Sequence, residues 1–531
     1  VLIAAGIALR LWQFAGRSAL WTDEATLASN IVGRSLGQLV SAPLGHNQAA
    51  PVGFLAIEKL AVTAFGASEL ALRAYPLACA ILSLVLLWKV AVRLLPASSV
   101  PLVLAPFACA PLLIFYAAEV KQYSSDVAIS LVLLLVALEL RGSERETSET
   151  RARMPAARIV AAAGIGVVSV WFSQPAVLVV TALAGALAIG ALASRGARLR
   201  SPLVWILGAW MLSALAATLV SVRLLTPDAH QFMRTFWNDG FWPLSLRPSS
   251  LAWPIVHIAL LIGSQLGIPT SIGLACTLLA VAGIVATWKT EWRTSLILAM
   301  PLLVALGASA AQLYPFSGRL ALFLIPSLLL LAAIGVTEIA ALVRVKRGSA
   351  VVLAVATIFV LVVAAQALYA APPVYRREEI TPAIAYLRRA SRASDRSYVY
   401  YGAVPAYEFY EVRDALPARA TTGGCHRGDS GGYRAELDAL RGSPRVWLLF
   451  AHETPRLRER EMMLAHLDGL GRERDSMVVH GRDTNGKTTY VRLYLYDLSM
   501  SPARDFAGTR AMATTDSATL EPSLRCAPPG E

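Results

Sequence analysis

The chain carries repeated apolar runs of membrane-spanning length, near 1–15, 70–93, 100–116, 127–140, 159–173, 176–194, 202–222, 271–288, 295–312, 320–343 and 350–371. Nothing else in it limits the fold so strongly. Backbone polar groups cannot stay unpaired in hydrocarbon, so each run has to be a helix. A polytopic α-helical membrane protein with about 11 spans is expected. Composition agrees: 56% of residues are hydrophobic and only 16% charged, at a mean hydropathy of +0.56, more apolar than ordinary soluble domains. The net charge of +13 does not indicate nucleic acid, because much of the Lys and Arg lies in short loops between apolar runs. Residues 1–15 lack a small-residue cleavage site before "WTDE" and read as the remains of a first span, trimmed at Val1, rather than a signal peptide.

Basic residues set the expected orientation. Arg93, Arg141, Arg145, Arg151, Arg153, Arg158, Arg195, Arg198, Arg200, Lys289, Arg293, Arg344, Lys346 and Arg347 fall in alternate loops. The N-terminus is therefore expected in the cytoplasm. Residues 16–69, 117–126, 223–270, 313–319 and everything after about 372 are expected outside, in a plasma membrane of bacterial type. The break "WFSQPA" predicts a tight hairpin at 171–176, and 251–269 reads as a re-entrant or interfacial segment. In the first outer loop, "ATLASNIVGRSLGQLV" and "PVGFLAIEKLAVTAFG" read as surface helices, on the membrane or packed on the protein.

The composition changes near 372. A Pro-marked linker leads to a helix with Thr381 as N-cap and Pro382 at its first position. "RSYVYYGA" and "RVWLLFAH" read as short buried strands, and "SMVVHGRDTNGKTTYVRLYLYDL" as a hairpin turning at Asn485-Gly486. The expected organisation is a membrane domain over 1–371, an extracytoplasmic α/β domain over 372–500, and a disordered tail over 501–531. Cys79, Cys109 and Cys276 lie in apolar runs and read as packing residues, while Cys425 and Cys526 would pair if their part of the chain is outside the cytoplasm.

The chemistry-bearing residues crowd onto one side. The first outer loop holds Asp23, Glu24, His46, Asn47 and Gln48; the second holds Glu119, Lys121, Gln122, Tyr123 and Asp126; the last short one holds Tyr314 and Arg319. Each alone reads more simply as an interfacial acid, a helix cap or a loop contact. Together they suggest a site for an anionic ligand whose reacting hydroxyl needs a base, since ionisable residues at this depth face a cavity or one another. A lone His46 is more often neither metal ligand nor substrate contact, and no HxxxH, CxxC pair or tight acidic set occurs. A divalent cation on the acids is chemically allowed and has no spacing to support it. No P-loop or Rossmann fingerprint is found, and "GGCHRGDSGG" reads as a Gly-rich loop, not a serine-protease motif.

Several motifs resemble the GT-C superfamily of polytopic glycosyltransferases, in the branch of the protein O-mannosyltransferases and the lipid A aminoarabinose transferases. They are "LRLW" followed by "LWTDE", then "NQAAPVGFLAIEKL", "FGASELALRAYP", "YAAEVKQYSSD" and "YPFSGRLALFLIP", spread over residues 1–345. The resemblance implies a polyprenyl-phosphate sugar donor, an acceptor hydroxyl on a protein, lipid or polysaccharide, and inversion at the sugar carbon. It implies Asp23 as general base with Glu24 in support, and Asp126 as the second acid. Lys121, Tyr123 and Arg319 are implied at the donor phosphate, where a fixed cation stabilises the leaving group. His46, Asn47, Gln48, Glu119 and Tyr314 are further candidate substrate contacts. The chain departs from those relatives at Ala50, which precedes Pro51 where the aminoarabinose enzymes place a Lys, at Lys121 in place of an Arg, and at the extra Glu119. A transporter or lipid flippase, and a non-catalytic scaffold, are the rival readings. A transporter would place its ionisable residues near the bilayer midplane, whereas these lie at one rim.

Overall fold

A computed structural model describes residues 1–142, 155–193, 201–342, 375–414, 420–483, 486–499 and Cys526. The expected span 350–371, the basic loop residues from 344 to 347 and most of the expected tail lie outside them.

The membrane part begins with α1 (Leu2–Ala15), followed by three loop helices, α2 (Thr22–Gly33), α3 (Leu36–Ser41) and α4 (Val52–Phe65). The single helix expected over 25–40 is broken at Arg34, where Ser35 caps α3 in a reciprocal capping box with Gln38. Then come α5 (Glu69–Leu94), α6 (Val100–Cys109), α7 (Pro111–Tyr116) and α8 (Tyr123–Gly142). The run 100–116 is two helices rather than one. Pro111 pushes Ala110 to ψ 123°, out of the helical region.

The hairpin expected at 171–176 is present between α9 (Ala156–Phe172) and α10 (Ala176–Leu192). Next are α11 (Ser201–Leu224), α12 (Pro227–Phe236) and α13 (Pro248–Leu266). The segment expected to be re-entrant or interfacial is the 19-residue α13, itself long and apolar enough to cross a membrane. α14 (Thr270–Ala310) joins two expected spans through a bend at Glu291. A 3-10 turn over Gly318–Leu324 leads into α15 (Ile325–Leu342). Six of the described helical segments have the length and apolarity to span a bilayer, and four shorter apolar helices accompany them.

α14 and α15 approach closely because glycine faces backbone on both sides. A Cβ at Gly283 would sit 2.0 Å from the Leu331 carbonyl oxygen, and one at Gly335 would sit 2.1 Å from that of Leu279. Small residues at such crossings let helices pack where lipid supplies no hydrophobic drive.

The C-terminal α/β domain has α16 (Thr381–Ala390), α17 (Val404–Asp414), α18 (Ser430–Asp438) and α19 (Glu459–Asp468) around a five-stranded sheet. α16 starts at Thr381 itself, with Ile380 at the N-cap position. The expected strands are β1 (Arg396–Val399) and β3 (Val446–Phe450), and the expected hairpin is β4 (Arg472–Arg482) with β5 (Thr488–Asp497). A short β2 (Ala420–Thr422) adds a parallel edge to β1, giving the order β2-β1-β3-β5-β4. Cys425 and Cys526 form a disulfide, and Asp429 of the Gly-rich loop caps α18. The sheet domain packs directly on the first loop: Leu20, Leu27 and Ile31 share one core with Tyr407, Tyr410 and Trp447.

The reciprocal glycine contact gives a direct test. Gly283→Val and Gly335→Val should each lower stability by about 1–3 kcal/mol or more, read as a loss of monodisperse protein and a lower midpoint in a thermal-shift assay. Gly164, with nothing within 4 Å of a Cβ, should tolerate Ala.

Candidate active site

The chain reaches Trp21 in extended conformation and turns into α2, so Asp23 and Glu24 occupy its first turn. Acids there are favoured by the helix dipole. Successive helical residues project about 100° apart, and the two carboxylates meet different partners.

Glu24 is buried against Arg73 of α5, with Nε to Oε1 at 2.9 Å and Nη2 to Oε2 at 2.6 Å. The Val120 backbone N–H also donates to Oε1 at 2.8 Å. Arg73 donates further to the Ser18 and Ala19 carbonyls. This fork ties the segment before α2 and the loop between α7 and α8 to α5.

Asp23 faces an open side. Lys121 Nζ lies 2.9 Å from Oδ1 and Arg319 Nη1 lies 2.8 Å from Oδ2. Burial alone would raise its pKa. Lys121, Arg319 and Arg377 overcome that and lower it to about 2. Lys121 Nζ also donates to Gln48 Oε1 at 2.7 Å. The Arg319 guanidinium stands 5.4 to 5.9 Å from the ring centres of Tyr123, Trp237 and Trp21, an aromatic cage that shields it from water. Tyr314 donates to the Leu320 carbonyl at 2.9 Å and braces the turn that carries Arg319.

Glu119 accepts from the Trp21 indole N–H at 2.8 Å, which accounts for the acid its relatives do not explain. Burial, and then the nearby Glu24, push its pKa up to about 7. Asp126 is not part of this cluster. It lies buried in the first turn of α8, and its Oδ1 has no hydrogen-bond partner among the described residues. His46 and Asn47 adopt left-handed backbone conformations, and His46 stands at the rim, 4.0 Å from Glu408 of the C-terminal domain. Among the described residues no group of three or more His, Cys, Asp or Glu side chains is arranged to hold a metal.

Beside Gln48 an apolar groove runs between the first loop and α9 and α11. It is lined by Leu39, Leu44, Pro51, Leu55, Trp171, Val220 and Leu224, among others. A carboxylate flanked by two cations, one of them joined through Gln48 to a groove with largely apolar walls, can take up an anionic head group with a hydrocarbon tail.

The sequence reading missed Trp21, Arg73, Trp237, Arg377, Glu378 and His452. Arg73 lay inside "FGASELALRAYP", a quoted motif. The last three lie more than 350 residues from Trp21, and no local signal marked them. Glu378 Oε2 accepts from Thr22 N at 3.3 Å and its Oγ1 at 3.1 Å, while Oε1 pairs with His452 Nδ1 at 2.7 Å.

The fold is the GT-C fold that the resemblance implied. The chain is similar to the crystal structure of ArnT from Cupriavidus metallidurans bound to undecaprenyl phosphate, at 13% identity and a TM-score of 0.51, covering 96% of this chain and 98% of that one. The apo state of the same protein gives 12% identity and 0.51, over 93% of this chain and 97% of that one. Neither a protein-family model nor a curated protein sequence matches the chain.

Two outcomes are expected. Removing one member of the buried Glu24–Arg73 pair leaves an unpaired charge, so Glu24→Ala or Arg73→Ala should cost about 3–5 kcal/mol and sharply reduce folded protein, while Asp23→Asn should not. For Glu119 the folded-state pKa of about 7 exceeds the unfolded value of about 4.3. Between those values the folded chain holds a proton that the unfolded chain has lost, so stability falls as pH rises. Glu119→Gln keeps an acceptor for the indole. Its melting temperature should match wild type near pH 4 and exceed it at pH 8.

Proposed function

We propose that this protein is a membrane glycosyltransferase. It moves a hexosyl or pentosyl group from a polyprenyl-phosphate donor to an acceptor hydroxyl on the extracytoplasmic face, with inversion. The observation that carries this reading is the convergence of Lys121 and Arg319 on the two oxygens of Asp23, where Gln48 links Lys121 to the apolar groove. The likeness to an ArnT bound to undecaprenyl phosphate supports the same class of lipid at this site.

In the step itself, Asp23 accepts the proton of the acceptor hydroxyl. The acceptor oxygen forms a bond to the sugar's anomeric carbon as the bond from that carbon to the phosphate oxygen breaks. The electron pair leaves on polyprenyl phosphate, and Lys121 and Arg319 stabilise the negative charge that grows there. Tyr123, Trp21 and Trp237 hold Arg319 in place and keep water away from it.

Lys121, Arg319 and Arg377 hold the proton affinity of Asp23 low. A base works best with a pKa nearer the working pH. The donor phosphate competes for Lys121 and Arg319, and in drawing them away it raises the proton affinity of Asp23 when the base is needed. Donor binding therefore prepares the base. Glu24, with Arg73 and Val120 on its oxygens, anchors the loop. Asp126 serves as a support behind the site, apart from the reacting groups.

The test uses purified protein in lipid nanodiscs with a radiolabelled polyprenyl-phosphate sugar. Release of polyprenyl phosphate, or transfer of sugar to an added acceptor, is expected. Asp23→Asn should lower the rate by about 10²–10⁴-fold while the protein stays folded and membrane-inserted; full activity in that variant would remove Asp23 as the base. Lys121→Ala and Arg319→Ala should raise KM for the donor far more than KM for the acceptor.

A further inference from the structure

The linker into the C-terminal domain is gripped from both sides. Gln13 of α1 holds Tyr375 by two hydrogen bonds, its Nε2 to the Tyr375 carbonyl at 3.1 Å and the Tyr375 N–H to its Oε1 at 3.0 Å. Arg376 bridges to Arg482 of β4, and the Thr489 hydroxyl donates to the Arg377 carbonyl. Glu378 and Glu379 accept from Thr22 and Ala19 of the first loop. The backbone of Arg377 is thus fixed between a sheet hairpin and the loop that carries Asp23.

Its side chain goes into the site. The Arg377 guanidinium lies 4.1 Å from the ring centre of Trp21, the indole that Arg319 also approaches at 5.9 Å. The Trp21 N–H is tied to Glu119, so the platform they share is fixed in orientation. Among the described residues the Arg377 guanidinium has no hydrogen bond or ion pair with an acid, and it is only partly exposed. Its forked donors remain available.

The charges around Trp21 point the same way. Glu24 is matched by Arg73 and Glu378 by His452. That leaves Asp23 and Glu119 against Lys121, Arg319 and Arg377, a surplus of at least one positive charge even with Glu119 ionised, and a phosphodiester is negatively charged.

We propose that Arg377 is a third phosphate-binding cation, delivered from the C-terminal domain, that contacts the lipid-linked phosphodiester of the donor together with Lys121 and Arg319. The proposal rests on the polyprenyl-phosphate reading above. It makes the C-terminal domain a contributor to the donor site rather than a cover over it.

The test compares Arg377→Lys with Arg377→Gln in the full-length protein. Both keep a long chain over the indole, and only the first keeps the charge. The probe is undecaprenyl phosphate, its binding measured in detergent, with undecaprenol and inorganic phosphate as separate arms. For undecaprenyl phosphate, Arg377→Lys should bind within about threefold of wild type and Arg377→Gln about tenfold more weakly, a loss within the range of a charge-assisted hydrogen bond. Undecaprenol should bind all forms alike, and weak binding of inorganic phosphate should follow the same order as the lipid.

Equal affinity of the Lys and Gln variants for undecaprenyl phosphate would overturn the role of Arg377. If Lys121→Ala and Arg319→Ala still lose binding in that case, the polyprenyl-phosphate reading stands without Arg377. If all four variants bind as wild type, the reading itself fails, and the role of Arg377 with it. An equal weakening of undecaprenol in Arg377→Gln would mark a structural role only and also overturn the proposal.

Discussion

Charge at the edge of an apolar body has to be neutralised from within the protein, and the buried Glu24–Arg73 pair is where this chain does so most completely. Arg73 enters from α5, Glu24 from the first turn of α2, and the Val120 N–H from the loop between α7 and α8. Three segments distant in sequence are fixed at one carboxylate. An unpaired charge there would cost several kcal/mol, so the loops have little freedom to settle elsewhere. The neighbouring Asp23 is held by its position on the same turn and projects toward Lys121 and Arg319. Two adjacent acids in "WTDE" thus divide the work, one fastening the loop and one facing the groove.

Much of this was legible. Hydropathy marks the described spans because lipid forbids unpaired backbone, and it also separates the two runs that meet at Glu291. It does not mark the break at Ala110, inside the run 100–116, for which the Pro after Ala110 was the signal. The strands of the C-terminal domain were legible as short buried β-branched and aromatic runs. β2 was not, since "ATT" is three residues long and partly exposed. In the site, Asp23, Lys121, Gln48 and Arg319 were named from the sequence and do converge. Asp126 was grouped with them as an ionisable residue at the start of a span and as the match to the second acid that the resemblance implies; it is buried in the first turn of α8 and makes no ion pair with Lys121 or Arg319. Trp237 and Arg377 were invisible for a simpler reason: their contacts with Arg319 and Trp21 are tertiary, and neither lies in a patterned segment.

The arrangement around Asp23 gives the cations two uses. Without an anionic ligand, Lys121 and Arg319 make a semi-buried carboxylate tolerable in a place where burial alone would favour its neutral form. On the proposed reading a donor phosphate shares them, and the carboxylate becomes a better proton acceptor. A site built on separate cations for each role would need more buried charge and more desolvation. Glu119 fits the same economy. Burial and the nearby Glu24 hold its proton on to about pH 7, so it orients Trp21 while adding less negative charge beside the incoming phosphate than an ordinary carboxylate would.

The start of α2 depends on the C-terminal domain for its hydrogen bonds. Trp21, at the N-cap position, makes no side-chain cap, so the first N–H groups of the helix need partners from elsewhere. Thr22 N, the first of them, donates to Glu378, and in the segment just before the helix Leu20 N donates to the Tyr410 hydroxyl and Ala19 N to Glu379. Each acceptor comes from the C-terminal domain, more than 340 residues away in sequence. A carboxylate from another domain therefore caps the helix whose first turn presents Asp23, adding a favourable charge at the positive end of its dipole. The position of Asp23 is set jointly by the membrane helices, through Arg73 beside it, and by the C-terminal domain, through Glu378 before it. In this molecule the two domains are parts of a single site, and the docking of one on the other is a condition for the geometry that Lys121 and Arg319 complete.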